Sequence, residues 1–177
     1  VYKENLYKPM PGYRFIASNT DRSRYYVGEL NGKSSKQAYM DALHISESNI
    51  INQTFHNPLG KMNGQDICII SLKEVSGNGL CCYRQVNDSD VLVLLEEQDY
   101  NEILDETLQR IRRDFNHISG VFSINCVFRY LLFSQEHHME DYLKTMSTLG
   151  EHAGLSGFGE HYNQQFVIQT MSCVVFE

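Results

Sequence analysis

No stretch of this sequence approaches the roughly 20 apolar residues that a membrane-spanning helix needs. It also has no large block of lysine and arginine, and the formal net charge is −7. Nucleic acid and membrane surfaces are therefore not expected partners. The one basic cluster, Arg110, Arg112 and Arg113, falls near the end of an expected helix, where cations complement the helix dipole. HExxH and paired CxxC signatures are missing, and no metal or cofactor is expected. Five cysteines, an odd number without regular spacing, and no signal-like segment predict a reducing, cytoplasmic setting.

What is present suits a folded domain. The 177 residues are 42% hydrophobic and 21% charged, enough for one large core. Residues 1–24 read as an arm or linker with a short strand around 13–17, and 25–177 as the domain. A strand is expected at 25–30, with a turn at Asn31-Gly32. A helix follows, capped by Ser34 or Ser35, that places Ala38, Tyr39, Ala42 and Leu43 on one face. After a loop at 45–65 come three strands at 67–75, 80–86 and 91–96. Gly77-Asn78-Gly79 marks a hairpin between the first two. Asp99 caps a helix at 100–116, in which Leu104, Leu108, Ile111 and Phe115 share a face. A long strand at 120–133, a helix at 136–149 and strands at 153–160 and 165–176 complete the pattern. The order β-α-βββ-α-β-α-ββ predicts an α+β fold with a largely antiparallel mixed sheet and about three helices.

Candidate chemistry concentrates in the last third. His137, His138, Glu140, Glu151, His152 and His161 are close in sequence but lack ligand spacing. Gly154, Gly157 and Gly159 spell G-x-x-G-x-G and lead into a strand, so they fit a bulge or close backbone approach better than a phosphate loop. Cys126 stands three residues before Arg129, and a nearby guanidinium can lower a thiol pKa. The bland alternative is a buried, inert thiol.

Arg129 lies in the apolar run 121–133, where an unpaired charge is costly. Its fork suits a carboxylate. Glu160 is its nearest partner by sequence, or a partner for a ligand ammonium. Ser156, Tyr162, Gln169 and Thr170 add neutral donors and acceptors. These residues compose either a pocket for an amino-acid-like ligand or an internal Arg–Glu pair that orders the C-terminal hairpin.

Several blocks are similar to the C-terminal domain of the FIST family ("F-box and intracellular signal transduction" proteins). Tyr26 to Lys33 resembles its opening strand and turn, with Ser34-Ser35 in place of Pro-Ala. Asn57-Pro58-Leu59-Gly60 resembles its Pro-Leu-Gly loop. Cys126-Val127-Phe128-Arg129 resembles Cys-x-Gly-Arg. Gly154 to Glu160 resembles Gly-Phe-Ser-x-Tyr-Gly-Glu. Phe166 to Met171 resembles His-x-Asn-Gln-Thr-Met. The resemblance implies a sensory, signal-transducing domain without catalysis. Its ligand would be an amino acid or small carboxylate, bound by Cys126, Arg129, Ser156, Glu160, Gln169 and Thr170. It also implies a signalling partner protein or an N-terminal FIST-like domain as partner. Phe128, Phe166 and Ile168 stand where the family has Gly, His and Asn, which makes the implied pocket bulkier and less polar. The competing expectations are a protein-interaction module and an enzyme using Cys126.

Overall fold

The computed structural model describes residues 1–64 and 66–177. Gln65, at the end of the expected loop, lies outside the described residues. The chain divides into two compact units, one of Tyr7–Glu97 and one of Val1–Leu6 with Gln98–Glu177.

Strand β1 (Tyr2–Asn5) opens the chain and belongs to the second unit. The first unit then contains β2 (Tyr7–Asp21), β3 (Tyr26–Leu30), β4 (Lys33–Ser34), α1 (Ser35–Leu43) and the short α2 (Ile50–Gln53). It continues with β5 (Leu59–Asn63), β6 (Asp66–Ile70), β7 (Leu72–Ser76), β8 (Gly79–Cys82) and β9 (Val91–Glu97). These strands pair antiparallel in the order β6-β5-β9-β2-β3-β8-β7, with β4 beside β3. Strand β2 joins the sheet's two halves, because its first part pairs with β9 and Ala17–Asp21 pairs with β3. Phe15, Ala17, Val27, Leu30, Leu92 and Leu94 contribute to an apolar core. Full burial of each large aliphatic side chain contributes roughly 1.5–3 kcal/mol. Ser34 caps α1 by accepting from the Gln37 N–H. Gly77, at φ 60°, turns β7 into β8.

The second unit adds α3 (Tyr100–Asp114), β10 (Gly120–Cys126), α4 (Val127–Gln135), α5 (Met139–Met146) and β11 (Glu151–Gly157). It closes with β12 (Glu160–Tyr162), β13 (Gln165–Val167) and β14 (Thr170–Phe176). Its sheet order is β1-β14-β10-β11, and β12 and β13 form a separate hairpin. Strands β10 and β11 run parallel, joined by the crossover through α4 and α5, while the other pairs are antiparallel. Asp99 caps α3, accepting from the Asn101 and Glu102 N–H groups. Leu104, Leu108 and Ile111 are the buried stripe of that helix.

The fold is α+β with mixed, mostly antiparallel sheets, and the described residues form five α-helices where about three were expected. Residues 1–24, read as an arm, supply β1 and β2. The expected loop 45–65 contains α2 and β5. The expected long strand 120–133 stops at Cys126 and becomes α4. Buried Arg129, Leu132 and Phe133 follow a helical spacing within an apolar run too short for its period to be read. The final expected strand breaks at Gln169, which sits at φ 55°. Among the described residues, no helix is long and apolar enough to cross a membrane.

Candidate functional site

The strand-to-helix junction at Cys126 and Val127 places Arg129 in the first turn of α4, pointing into the second unit. Its side chain is only 1% exposed. The carboxylate that meets it comes from β1, which the register Glu4↔Met171 holds along β14. Arg129 Nη2 donates to Glu4 Oε1, and both groups are buried. This corrects the expected Arg129–Glu160 pair: the salt bridge goes to a residue 125 positions away. The guanidinium also stacks 4.6 Å from the Phe133 ring centroid and 5.5 Å from that of Tyr142. Such contacts favour a cation most where water is excluded.

Glu160, on β12, is the second buried carboxylate. Thr170 Oγ1, at the start of β14, donates to Glu160 Oε2 over 2.7 Å. Burial pushes the Glu160 carboxyl up to about 7, while the Thr170 hydrogen bond and the Arg129 charge pull it down. Among the described residues, four atoms of this cluster have no hydrogen-bond partner: Arg129 Nε and Nη1, Glu4 Oε2 and Glu160 Oε1. Buried polar atoms are normally satisfied, so four in one cluster are uncommon.

Cys126 is completely buried at the N-cap of α4. Burial raises its thiol pKa, and backbone N–H groups of Gln169 and Phe128 oppose the rise only in part. A raised pKa is the reverse of thiol activation. Gln169 is also fully buried, and its left-handed backbone turns the chain from β13 into β14. Phe166 is partly exposed against the His161 ring, and Ile168 is buried. Tyr162 lies under the Lys3 ammonium at 5.4 Å.

Five of the six expected site residues therefore belong to one neighbourhood: Cys126, Arg129, Glu160, Gln169 and Thr170. Ser156 does not. It sits on β11 opposite Asn125 and lines an open cavity with Ser123, Tyr142 and His152. Glu4 is the functional candidate that sequence reasoning missed. It stands between Lys3 and Asn5 in a polar stretch, and nothing nearby names its partner. Among the described residues, no three His, Cys, Asp or Glu side chains converge to hold a metal ion.

A family model described as the FIST C domain matches residues 36–163, well over half of the chain. The matched span includes Arg129 and Glu160 and stops short of Thr170. No curated protein and no solved structure matches the chain.

Proposed function

This chain belongs to the FIST C domain family, a sensory type of signal-transduction domain, and from that premise we propose that it senses a small polar ligand. The ligand is an amino acid or small carboxylate. It is bound without chemistry in the cytoplasm, and the bound state is passed to a signalling partner protein or an N-terminal FIST-like domain. One observation carries the reading: a buried cluster of two carboxylates and one guanidinium with four unpartnered polar atoms. An ammonium would answer Glu160 Oε1 and Glu4 Oε2, and a carboxylate would answer Arg129 Nε and Nη1. The raised Cys126 pKa supports a binding role over a thiol enzyme.

The test is thermal unfolding against a panel of amino acids and small carboxylates. A ligand at about 100 times its Kd stabilises a fold by about 2.7 kcal/mol. Arg129→Ala is a poor control because it strands Glu4 as a buried, unpaired charge. Arg129→Lys keeps the charge and loses the fork, and Glu160→Gln keeps the shape and loses the carboxylate. A selective shift that weakens in both variants is expected. Unchanged affinity in both overturns the site.

The exposed apolar side chains of the second unit favour a second reading, a protein-interaction module. Leu155, Val174 and Phe176 are exposed on one sheet face, and Phe158 is 90% exposed at the nearby glycine-rich turn. No shift across the whole panel moves the assignment there.

A further inference from the structure

The second unit holds another polar constellation, built at the parallel pair β10–β11 and covered by α5. The register Ser123↔Gly154 and Asn125↔Ser156 sets these residues side by side on one sheet face. An open cavity of 430 Å³ lies over them, within the usual size range of small-molecule sites. Gly154 keeps its floor low: a Cβ there would stand 2.6 Å from Ser123 Oγ. Met139 and Leu143 of α5 supply an apolar wall.

The polar groups form a directed chain. Asn125 Nδ2 donates to the Tyr142 hydroxyl at 3.0 Å, and Tyr142 donates to Ser123 Oγ at 3.3 Å. Ser123 Oγ lies 2.8 Å from His152 Nε2. With Tyr142's single proton already given to Ser123, the chain is completed when Ser123 donates to Nε2, which places the imidazole proton on Nδ1. Burial lowers the His152 pKa and so favours this neutral ring. At the other end Asn125, 8% exposed, has its Oδ1 without a partner among the described residues. The cavity lining thus includes an unanswered acceptor at Asn125 and a neutral imidazole at His152.

None of the residues lining this cavity is Asp, Glu, Lys or Arg. Arg129 lies 5.5 Å from the centroid of the Tyr142 ring and is paired with Glu4. An ionic ligand would lose its hydration here without gaining a counter-charge. Ser123 is 1% exposed in mid-strand, so its pairing with His152 holds the ring in place and does not present a nucleophile.

We propose that this cavity is a second ligand site, selective for small uncharged molecules with an amide-like donor–acceptor edge on a flat apolar body. It is independent of the amino-acid reading, because neither Arg129 nor Glu160 lines it.

Benzamide and benzoate make the test, being alike in shape and different in charge. Each is titrated into the full chain by NMR. Two variants are added: Asn125→Leu removes the acceptor, and Ser156→Trp fills the cavity mouth at an exposed position. Benzamide is expected to bind about tenfold or more tighter than benzoate and to shift the His152 ring signals, with each variant weakening it by about tenfold. Ser156→Trp decides the matter if Asn125→Leu unfolds. The amino-acid response is expected to survive Ser156→Trp, so the two sites fail separately. Equal binding of the two probes, no binding of benzamide, or undiminished binding in Ser156→Trp overturns the proposal.

Discussion

The two units solve the same problem, filling an interior, with opposite chemistry. Among the described residues of Tyr7–Glu97, the buried polar side chains other than tyrosine are Ser35, Thr54 and Ser71, all hydroxyls. Ser35 Oγ donates to the Val27 carbonyl at 2.6 Å, and Thr54 Oγ1 accepts from the Leu72 N–H at 2.8 Å. In the second unit the interior holds Glu4, Arg129, Glu160, Asn125 and Gln169. An apolar core draws its stability from area removed from water and tolerates imprecision. A buried charged cluster gains little net stability, and each member becomes costly once its partner is removed. The first unit is built like a scaffold and the second like a site.

Substitutions in both units can break or sharpen that contrast. Arg129→Ala should have the largest effect, about 3–5 kcal/mol by urea unfolding, because it leaves Glu4 charged and dry. Replacing both partners, Glu4→Leu with Arg129→Met, should recover most of the loss. A double variant as unstable as the single one would show that the pair itself, not its disruption, sets stability. Leu94→Ala in the first unit should cost about 3 kcal/mol through cavity formation, and by the same amount at pH 5 and pH 8.

Glu160→Gln should act through pH. The carboxyl ordinarily titrates at 4.5 and is raised to about 7 in the fold. Folding therefore takes up a proton between those values. This contribution is complete below about 4.5 and is lost as pH rises through about 7. Melting temperature should fall from pH 5 to pH 8 in the native chain, and less steeply in Glu160→Gln. Parallel curves would place Glu160 in a wetter setting. The smallest effects should come from the helix caps. Ser34→Ala in the first unit and Asp99→Ala in the second should each cost about 1 kcal/mol, since a cap at the surface is indifferent to the interior beneath it. A large difference between them would tie one cap to its unit's core.

Local signals were legible because local physics decides them. Asp99 caps α3, Ser34 caps α1, and Gly77-Asn78-Gly79 turns a hairpin. Arg129 and Thr170 were also readable, since each stands out as polar within an apolar run, and Glu160 was marked by the glycine-rich turn before it. Two features were not. Residues 127–133 suit a buried helix as well as a buried strand, and only the crossover between parallel β10 and β11 decides for the helix. The Glu4–Arg129 pair depends on β1 running along β14, and no local pattern encodes a pairing across most of the chain. Ser156 was assigned to the wrong neighbourhood for a related reason. Proximity to Glu160 in sequence says nothing about the sheet face that β11 presents.

Among the described residues, strand β1 lies at the edge of its sheet and pairs with β14. Tyr2 is therefore paired with Cys173, near the opposite end of this sequence. On a ribosome moving at about 5–20 residues per second, β1 waits roughly 8–35 s for its partner to be made. The contiguous segment Tyr7–Glu97 can mature during that interval. Glu4 spends it hydrated, and the charge cluster forms only when synthesis of this stretch is nearly finished. Newly made chains should thus protect the first unit before the charge cluster forms, an order that pulse-labelled hydrogen exchange on stalled nascent chains can read directly.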